Sequence, residues 1–344
     1  MEAEIDSIAA ATDFSGVVGI DHGGTADVAK AYGLAHRGLE VANTVDTRFA
    51  IASGSKGFTA VAVAGLVEDR VLALSTTARS LLGAALPLID DGVTVEHLLS
   101  HRSGIGDYLD EDAGHGVDDY VMPVPVHQLA TTEDYLAVLE GHPAKFAPGA
   151  RFSYCNGGYV VLALIAERAT SVPFHELVER RVCKPAGMPD TAFLRSDELP
   201  GRAAIGYVTS DSDARTNAFH LPVRGSGDGG IYSTLADISG FWRALFAGGL
   251  VSPQLVAELV RPRSDVPRQR MQYGLGFWLA PSGIVVLEGS DAGVSFRSGH
   301  DPRRDFTFTV ISNTSEGAWP IARLLDERFV RELPGLDSNQ QPSG

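Results

Sequence analysis

Ser53 and Lys56 place a hydroxyl and an amine three residues apart. On a helix this spacing puts both groups on one face, where they can share a proton. If Ser53 lies in the first turn of a helix, the unpaired amides and the helix dipole favour the negative charge that develops during acyl transfer. Burial of Lys56 beside Ile51 and Phe58 would lower its pKa, so that a fraction becomes a neutral base. The pair therefore predicts an activated serine nucleophile.

A second interpretation of this pair stays open, in which Ser53 caps a helix and Lys56 is an exposed lysine in its first turn. The sequence contains one Ser-x-x-Lys motif, and a chain of this length with average composition contains about one by chance. Lysine is rare here, since the four lysines are Lys30, Lys56, Lys145 and Lys184. A lysine inside an apolar segment is therefore distinctive.

Tyr154 and Asn156 lie about a hundred residues further on, just before a helical pattern. A phenol can donate or accept a proton, and an amide can hold a substrate carbonyl or a lysine ammonium group. In the alternative interpretation, both side chains complete turn hydrogen bonds where a helix begins. The two residues are candidate partners of Ser53 and Lys56 only in the right structural context.

The elements that must position these residues begin with a predicted hairpin. Strand patterns at 15–21 and 28–35 are joined across His22-Gly23-Gly24. An extended apolar segment at 47–52 is followed by helical spacing at 53–69. Ser53 is therefore predicted to lie where an extended segment turns into a helix.

The remainder of the chain predicts an α/β fold in two lobes. Helical patterns occur at 95–99, 132–139, 157–169 and 174–182, and strand patterns at 271–280, 284–288, 294–299 and 306–312, before a helix near 322–332. We expect a discontinuous α/β sheet lobe at 1–70 and 225–333, and a mostly helical lobe at 71–224. The tail at 334–344 is predicted to be disordered.

Composition narrows the classes of partner. The formal net charge of -15 and pI near 5.0 oppose binding to nucleic acid, which relies on cations that neutralise phosphates. The acidic N-terminus lacks a signal-peptide pattern, and no stretch reaches the ~18 apolar residues of a membrane span. We expect a cytoplasmic protein without a membrane partner, and the alternative is an exported form from which the signal peptide has been trimmed. Cys155 and Cys183 are predicted to be free thiols.

Two other candidate sites are weaker. A metal site could be imagined from His97, His101, His115, Asp107, Asp110, Glu111 and Asp112. These residues match no compact ligand spacing such as His-Glu-x-x-His, so we predict no metal. The glycine-rich run at 225–230 lacks the Lys-Ser/Thr of a phosphate loop, and we interpret it as a site-lining loop or a tight turn.

Five segments follow one another in the order of one protein family. They read Phe-Ala-Ile-Ala-Ser-Gly-Ser-Lys-Gly-Phe-Thr-Ala at 49–60, Val-Glu-His-Leu-Leu-Ser-His-Arg-Ser-Gly-Ile at 95–105, Pro-Gly-Ala-Arg-Phe-Ser-Tyr-Cys-Asn-Gly-Gly-Tyr at 148–159, Pro-Ala-Gly-Met-Pro-Asp-Thr at 185–191 and Gly-Gly-Ile-Tyr-Ser-Thr-Leu-Ala-Asp at 229–237. Over roughly 15–330 the chain resembles serine β-lactamases and penicillin-binding proteins, in particular the class C branch that includes esterases and D-aminopeptidases. The resemblance implies a β-lactamase-like fold, with an antiparallel sheet flanked by helices, an inserted mostly helical lobe and the site between them.

The resemblance also implies roles for individual residues. Ser53 would attack a carbonyl, Lys56 and Tyr154 would shuttle its proton, and Asn156 would orient the substrate. The family's third motif, Lys-Thr-Gly or His-x-Gly, falls here on Leu-Glu-Gly-Ser at 287–290, so that Leu287 replaces the cation or imidazole.

The remaining residues of the third motif keep the acyl chemistry possible. Gly289 permits close backbone approach, and the N–H groups of Ser290 and Ser53 would form the oxyanion hole. Leu287 offers no charge to a substrate carboxylate, so we expect neutral esters to be preferred over β-lactams and D-alanyl peptides. Arg297, on the next predicted strand, is the alternative source of that charge.

The sequence therefore predicts a serine hydrolase that acts on a small ester or amide through an acyl-enzyme and needs no cofactor. One alternative is a D-aminopeptidase, D-alanyl carboxypeptidase or β-lactamase. The other is a catalytically silent binding protein of the same fold.

Overall fold

The structure, a computed structural model, describes residues 1–111, 114, 116–210 and 213–329. The tail predicted to be disordered, 334–344, lies outside the described residues. The helices are α1 (Glu2–Ala11), α2 (Ser55–Glu68), α3 (Ala78–Leu82), α4 (Val95–Leu99), α5 (Leu136–Leu139), α6 (Asn156–Thr170), α7 (Phe174–Val178), α8 (Leu235–Phe246), α9 (Pro253–Leu259) and α10 (Ala318–Phe329). Across the described residues, no helix is both long enough and apolar enough to cross a bilayer.

Most strands come from the two ends of the chain. They are β1 (Gly16–His22), β2 (Thr25–Tyr32), β3 (Leu34–His36), β4 (Val41–Ala42), β5 (Phe49–Ala50), β6 (Tyr207–Ser210), β7 (Asp213–Thr216), β8 (Tyr232–Ser233), β9 (Ser264–Val266), β10 (Met271–Tyr273), β11 (Trp278–Leu279), β12 (Val285–Asp291), β13 (Val294–Asp301) and β14 (Phe306–Ser312). A 3-10 turn, Ala52–Gly54, precedes α2.

One eight-stranded sheet joins the N-terminal and C-terminal segments in the order β2-β1-β14-β13-β12-β11-β10-β9, with antiparallel pairing throughout. The predicted N-terminal hairpin is confirmed. It turns at Gly23 and Gly24, whose φ angles of 57° and 81° suit glycine. The antiparallel sheet flanked by helices, which the resemblance implied, is confirmed as well.

The two faces of the sheet pack against different helices, because alternate residues of a strand point to opposite sides. Val18 and Val310 face α1 and α10 in one apolar cluster. Val17 and Ile311 belong to the larger cluster that contains α2, α6 and α8. Helix α2 is buried almost around its whole circumference, as expected of a central helix. The nucleophile candidate is therefore anchored to the most buried helix.

Helices α8 and α9 were not predicted from the sequence. The sequence contains a signal for the start of α8, which is the helix-capping residue Thr234. In the structure its side chain accepts a hydrogen bond from the Asp237 amide at 3.2 Å. The predicted strand at 271–280 is divided into β10 and β11 by a turn in which Gly274 N–H donates to the Phe277 carbonyl. Gly276 in that turn has a φ of 92°, which a side chain would strain.

Candidate active site

Ser53 lies in the 3-10 turn that joins β5 to α2 rather than in the first turn of α2 itself. The reason is local: Ala52 has a φ of 45°, in the left-handed region that costs a non-glycine residue about 1–2 kcal/mol. This bend turns the chain sharply between β5 and α2. It places Ser53 on the wall of the cleft while Ser55 and Lys56 stay buried.

Lys56 is 2% exposed and donates three hydrogen bonds of 2.8 Å. The acceptors are Ser53 Oγ, Asn156 Oδ1 and the main-chain oxygen of Asp228. They match the three N–H groups of an ammonium ion. Lys56 is therefore a buried, fully hydrogen-bonded cation, and the interpretation of an exposed first-turn lysine is wrong.

The surroundings of Lys56 also determine what its neutral form can do. Burial lowers the pKa of Lys56, and the negative charge of Asp228 acts in the opposite direction. A neutral amine has two N–H groups and one lone pair. Asn156 Oδ1 and the Asp228 carbonyl can only accept hydrogen bonds, so they retain the two N–H groups. The lone pair is then directed at the Ser53 hydroxyl, in position to take its proton.

Tyr154 lines the cleft together with Ser53 and lies beside Lys56. Its ring centroid is 4.9 Å from Lys56 Nζ, and the ring stacks on Trp278 at a centroid distance of 6.2 Å. Burial raises the pKa of Tyr154 well above 10, while a hydrogen bond with Ser53 acts in the opposite direction. The phenol therefore stays protonated near neutral pH and can pass a proton on while remaining neutral.

His101 holds the segment that carries Tyr154. Its carbonyl accepts the Ser153 N–H at 2.9 Å, its Nδ1 accepts the Cys155 N–H at 3.1 Å, and its ring centroid is 4.2 Å from that of Tyr154. Burial and the nearby charge of Lys56 lower the His101 pKa well below 6.5. The imidazole is therefore neutral, with Nδ1 free to accept, and it fixes the position of the Tyr154 ring.

Asn156 is held by Asp107, which the sequence analysis did not assign to the site. The Asp107 carboxylate accepts the N–H groups of Asn156 and Gly157 at 2.6 and 2.8 Å, at the start of α6. Burial raises the pKa of Asp107 to about 6, although these amides act in the opposite direction. Asn156 Nδ2 donates to the Leu109 carbonyl at 3.0 Å. Both ends of the amide are thus engaged within the protein, and Asn156 positions Lys56.

The glycine-rich run at 225–230 is a loop that packs on the first turns of α2. The Gly227 carbonyl accepts the Thr59 hydroxyl at 2.6 Å, and the N–H of Ile231 donates to Ser55 Oγ at 3.1 Å. The same loop presents the Asp228 carbonyl to Lys56. The loop therefore has a structural role, because it packs on α2 and helps to position Lys56.

Strand β12 borders the cleft through Glu288, Gly289, Ser290 and Asp291. A Cβ added at Gly289 would lie 2.3 Å from the Ile51 carbonyl oxygen and 2.8 Å from the Ser53 nitrogen. Only glycine allows the strand to approach the 3-10 turn this closely. The placement of Gly289 and Ser290 beside Ser53 is compatible with the predicted oxyanion hole.

Leu287 is placed differently from what the prediction required. Its side chain is 2% exposed and lies against Gly57 of α2, below the cleft. Arg297 is not available to a substrate either, because it forms ion pairs with Glu288 and, at 2.8 Å, with Asp326. On these two strands, therefore, neither residue presents a cation to the cleft.

The cleft has a volume of about 1250 Å³ and lies above Ser53. An aromatic wall of Phe152, Tyr154 and Trp278 forms one side. Its charged lining residues are Asp110, Glu111, Asp265, Glu288 and Asp291, with Arg151 and Arg268. Carboxylates therefore outnumber guanidinium groups around the cleft.

The imagined metal ligands have other partners. His97 and Thr94 complete a capping box at the start of α4, and Asp110 pairs with Lys145 at 2.7 Å. Asp112 and His115 lie outside the described residues. Within the described ranges, no group of three or more His, Cys, Asp and Glu side chains is arranged to hold a metal ion. Both cysteines are buried free thiols.

Replacing Gly289 with alanine is expected to lower the rate of Ser53 acylation by about 10²–10³-fold, the range for losing one oxyanion donor, because the new Cβ displaces β12 from Ser53. The rate of labelling by a fluorophosphonate measures this, normalised to folded protein by thermal unfolding. Gly201→Ala is the matched control, since its added Cβ meets no heavy atom within 4 Å. Equal labelling rates in the two variants would contradict the oxyanion role of β12.

The chain is similar in sequence and structure to several known proteins. The chain is 29% identical over 277 residues to esterase EstB of Burkholderia gladioli, which covers 72% of this chain and 70% of the esterase. It is 28% identical over 278 residues to a D-aminopeptidase of Brucella anthropi, covering 80% of this chain and 50% of that one. The crystal structure of a penicillin binding protein from Bacillus halodurans superposes with a TM-score of 0.88 at 33% identity, over 94% of this chain and 100% of that one.

The chain spans 63% and 60% of the length of two relatives from Bacillus subtilis. A family model described as Beta-lactamase matches residues 2–329, which is nearly all of the described chain. The chain therefore belongs to the beta-lactamase family.

Proposed function

We propose that the protein is a serine hydrolase that cleaves a small ester or amide through an acyl-enzyme on Ser53, without a cofactor. The observation that carries the proposal is the hydrogen bonding of Lys56. Two carbonyl oxygens, of Asn156 and Asp228, hold two of its N–H groups, so its lone pair in the neutral state faces the Ser53 hydroxyl.

The reaction follows from these contacts. Ser53 Oγ attacks the substrate carbonyl carbon while its proton passes to Lys56, and the carbonyl oxygen becomes an oxyanion near the N–H groups of Ser53 and Ser290. Tyr154 donates a proton to the leaving alcohol or amine and regains one from Lys56. Water then attacks the acyl-Ser53 ester along the same path in reverse, which releases the acid and restores the serine.

A direct test is intact-mass measurement after incubation with a fluorophosphonate and with a panel of p-nitrophenyl esters. We expect one covalent adduct per chain, located on Ser53 by peptide mapping, together with steady ester turnover. A folded protein that forms no adduct and turns over no ester would instead be the silent binding protein of the same fold. An adduct elsewhere would contradict the assignment of Ser53.

A second candidate function is hydrolysis of substrates that carry a free amine, and the charge of the cleft favours it. Among the described residues, five carboxylates line the cleft, against the two guanidinium groups of Arg151 and Arg268: those of Asp110, Glu111, Asp265, Glu288 and Asp291. Burial raises the pKa of Asp291 to about 7, so its charge grows above neutral pH. The similarity to a D-aminopeptidase supports a substrate that carries a free amine.

This charge predicts an order of substrates that differs from that of a β-lactamase. With p-nitrophenyl esters of equal chain length, kcat/KM is expected to fall from an amino-bearing to a neutral to a carboxylate-bearing acyl group, by about three- to tenfold per step. Added salt should compress the series, because exposed charges are screened. Nitrocefin turnover that exceeds turnover of the neutral ester would contradict the prediction and favour the β-lactamase alternative.

A further inference from the structure

We propose that the Asp228 side chain, held by Tyr108, is the counter-charge of Lys56 and sets the pH range in which Ser53 becomes acylated. Asp228 then acts through Lys56 as a positioning residue and does not touch the substrate. The proposal rests on the proposed function, since it concerns the base of the same reaction. The glycine-rich loop at 225–230 would then act on Lys56 in two ways, through its main-chain hydrogen bond and through the charge of the Asp228 carboxylate.

The contacts of Asp228 place a carboxylate and a lysine acceptor on one residue. Its carbonyl oxygen accepts Lys56 Nζ at 2.8 Å, and its carboxylate accepts the Tyr108 hydroxyl. Asp228 is 7% exposed and Tyr108 is equally buried, at 7%. A carboxylate in such a place is costly unless it is hydrogen-bonded and paired with a positive charge. Lys56 is the cation that is hydrogen-bonded to the main chain of the same residue.

The loop that carries Asp228 fits closely between α2 and α6. A Cβ added at Gly227 would lie 2.1 Å from the Tyr159 carbonyl oxygen of α6. On the other side, Gly227 and Ile231 are hydrogen-bonded to Thr59 and Ser55 of α2. The loop therefore holds the Asp228 main chain at Lys56, and the Tyr108 hydroxyl holds the Asp228 carboxylate.

Several titratable groups surround Lys56. Among the charged groups, Asp228 has the largest effect on the pKa of Lys56. The carboxylates around it are Asp228 from the loop, Glu111 and Asp107 from the segment after α4, and Asp291 from β12. The other titratable neighbours are the neutral rings of Tyr154, Tyr159 and His101. Of the four carboxylates, Asp228 opposes the effect of burial on the Lys56 pKa most strongly.

The two charges stabilise each other, and this fixes the sign of the effect. Burial raises the pKa of Asp228, while Lys56 and the Tyr108 hydroxyl act in the opposite direction. The Asp228 anion in turn raises the pKa of Lys56. Since Ser53 needs neutral Lys56, acylation rises as pH passes upward through the Lys56 pKa. Removing the anion lowers that pKa, so the acidic limb of the profile moves to lower pH.

Asp228→Asn isolates this charge, because it keeps the main-chain acceptor and an amide oxygen for Tyr108. The acidic limb of the pH profile of kcat/KM for a neutral p-nitrophenyl ester is expected to move down by about one unit or more. Tyr108→Phe should move it in the same direction by less, since the carboxylate loses a hydrogen bond. Asp91→Asn, at an exposed ion pair with Arg79, is the matched control and should leave the profile unchanged. An unshifted limb in Asp228→Asn, or one moved to higher pH, would overturn the proposal.

A stability cycle tests the same pair without any activity, and so separates this proposal from the proposed function. Lys56→Met leaves a buried carboxylate without its cation and is expected to lower the Tm, and adding Asp228→Asn should recover most of that loss. If the double variant recovers the Tm but the wild type turns over no ester, the proposed function is contradicted and the counter-charge role of Asp228 is not. If the Tm losses of the two single variants simply add in the double variant, Asp228 is not the counter-charge of Lys56.

Discussion

Replacing Ser53 with alanine is expected to lower acyl transfer by on the order of 10⁶-fold, to the background rate, while the protein stays folded. The variant has no oxygen at the point to which the Lys56 lone pair is directed. The hydroxyl lies at the wall of the cleft, so its loss removes little packing. Ester turnover and intact-mass labelling measure the activity, and thermal unfolding measures the fold.

Ser55 offers a matched control two residues away. Its hydroxyl is fully buried, donates to the Ala52 carbonyl at 2.7 Å and accepts the Ile231 N–H. Ser55→Ala should therefore lower the Tm and still form the covalent adduct, which is the reverse of Ser53→Ala. Ester turnover by pure Ser53→Ala protein would show that another residue is the nucleophile.

The second large effect concerns the proton path. Lys56→Met and Tyr154→Phe are each expected to lower the rate of acylation by about 10²–10⁴-fold, the usual range for a positioned acid or base. Lys56 hydrogen-bonds to Ser53, and the Tyr154 ring centroid lies 4.9 Å from Lys56 Nζ, so we expect both groups to act on the same proton. The double variant should then lose far less than the product of the two single losses.

Single-turnover acylation of the four proteins in this cycle gives the coupling directly. Lys30→Met is the control for loss of a lysine, because Lys30 pairs with Asp6 and Glu2 on the far edge of the sheet. Its acylation rate should match the wild type. Multiplicative losses in the double variant would show that Lys56 and Tyr154 act in separate steps.

The parts of the site that the sequence predicted are those with local patterns. Ser53 and Lys56 could be located by their helical spacing, and Gly289 by the match of 287–290 to the third motif of the resembling family, both from residues close in sequence. Asp228 could not, because its partner Tyr108 is 120 residues away and the two meet only when separate loops pack together. No periodicity in either loop predicts that meeting.

The sequence also failed to predict the direction in which the Leu287 side chain points. Counting along the chain located Leu287 on its strand, but it did not establish what covers each face of β12. Leu287 and Val285 belong to the core cluster that includes α2, whereas Glu288 pairs with Arg297. Alternation along a strand is strict, so the face that a residue occupies depends on which helices cover the sheet. That is a property of the tertiary fold.

The pairing of β1 with β14 has a consequence for the synthesis of the protein. Val17 lies opposite Ile311, so a strand near the start of the chain must wait for one translated almost 300 residues later. At typical elongation rates of about 5–20 residues per second, the interval is roughly 15–60 s. During that time β1 presents an unpaired edge, the kind of surface that recruits other chains. Ser53 and Lys56 leave the ribosome early, but the nascent chain lacks β12 and the finished cleft until nearly the whole sequence has been made.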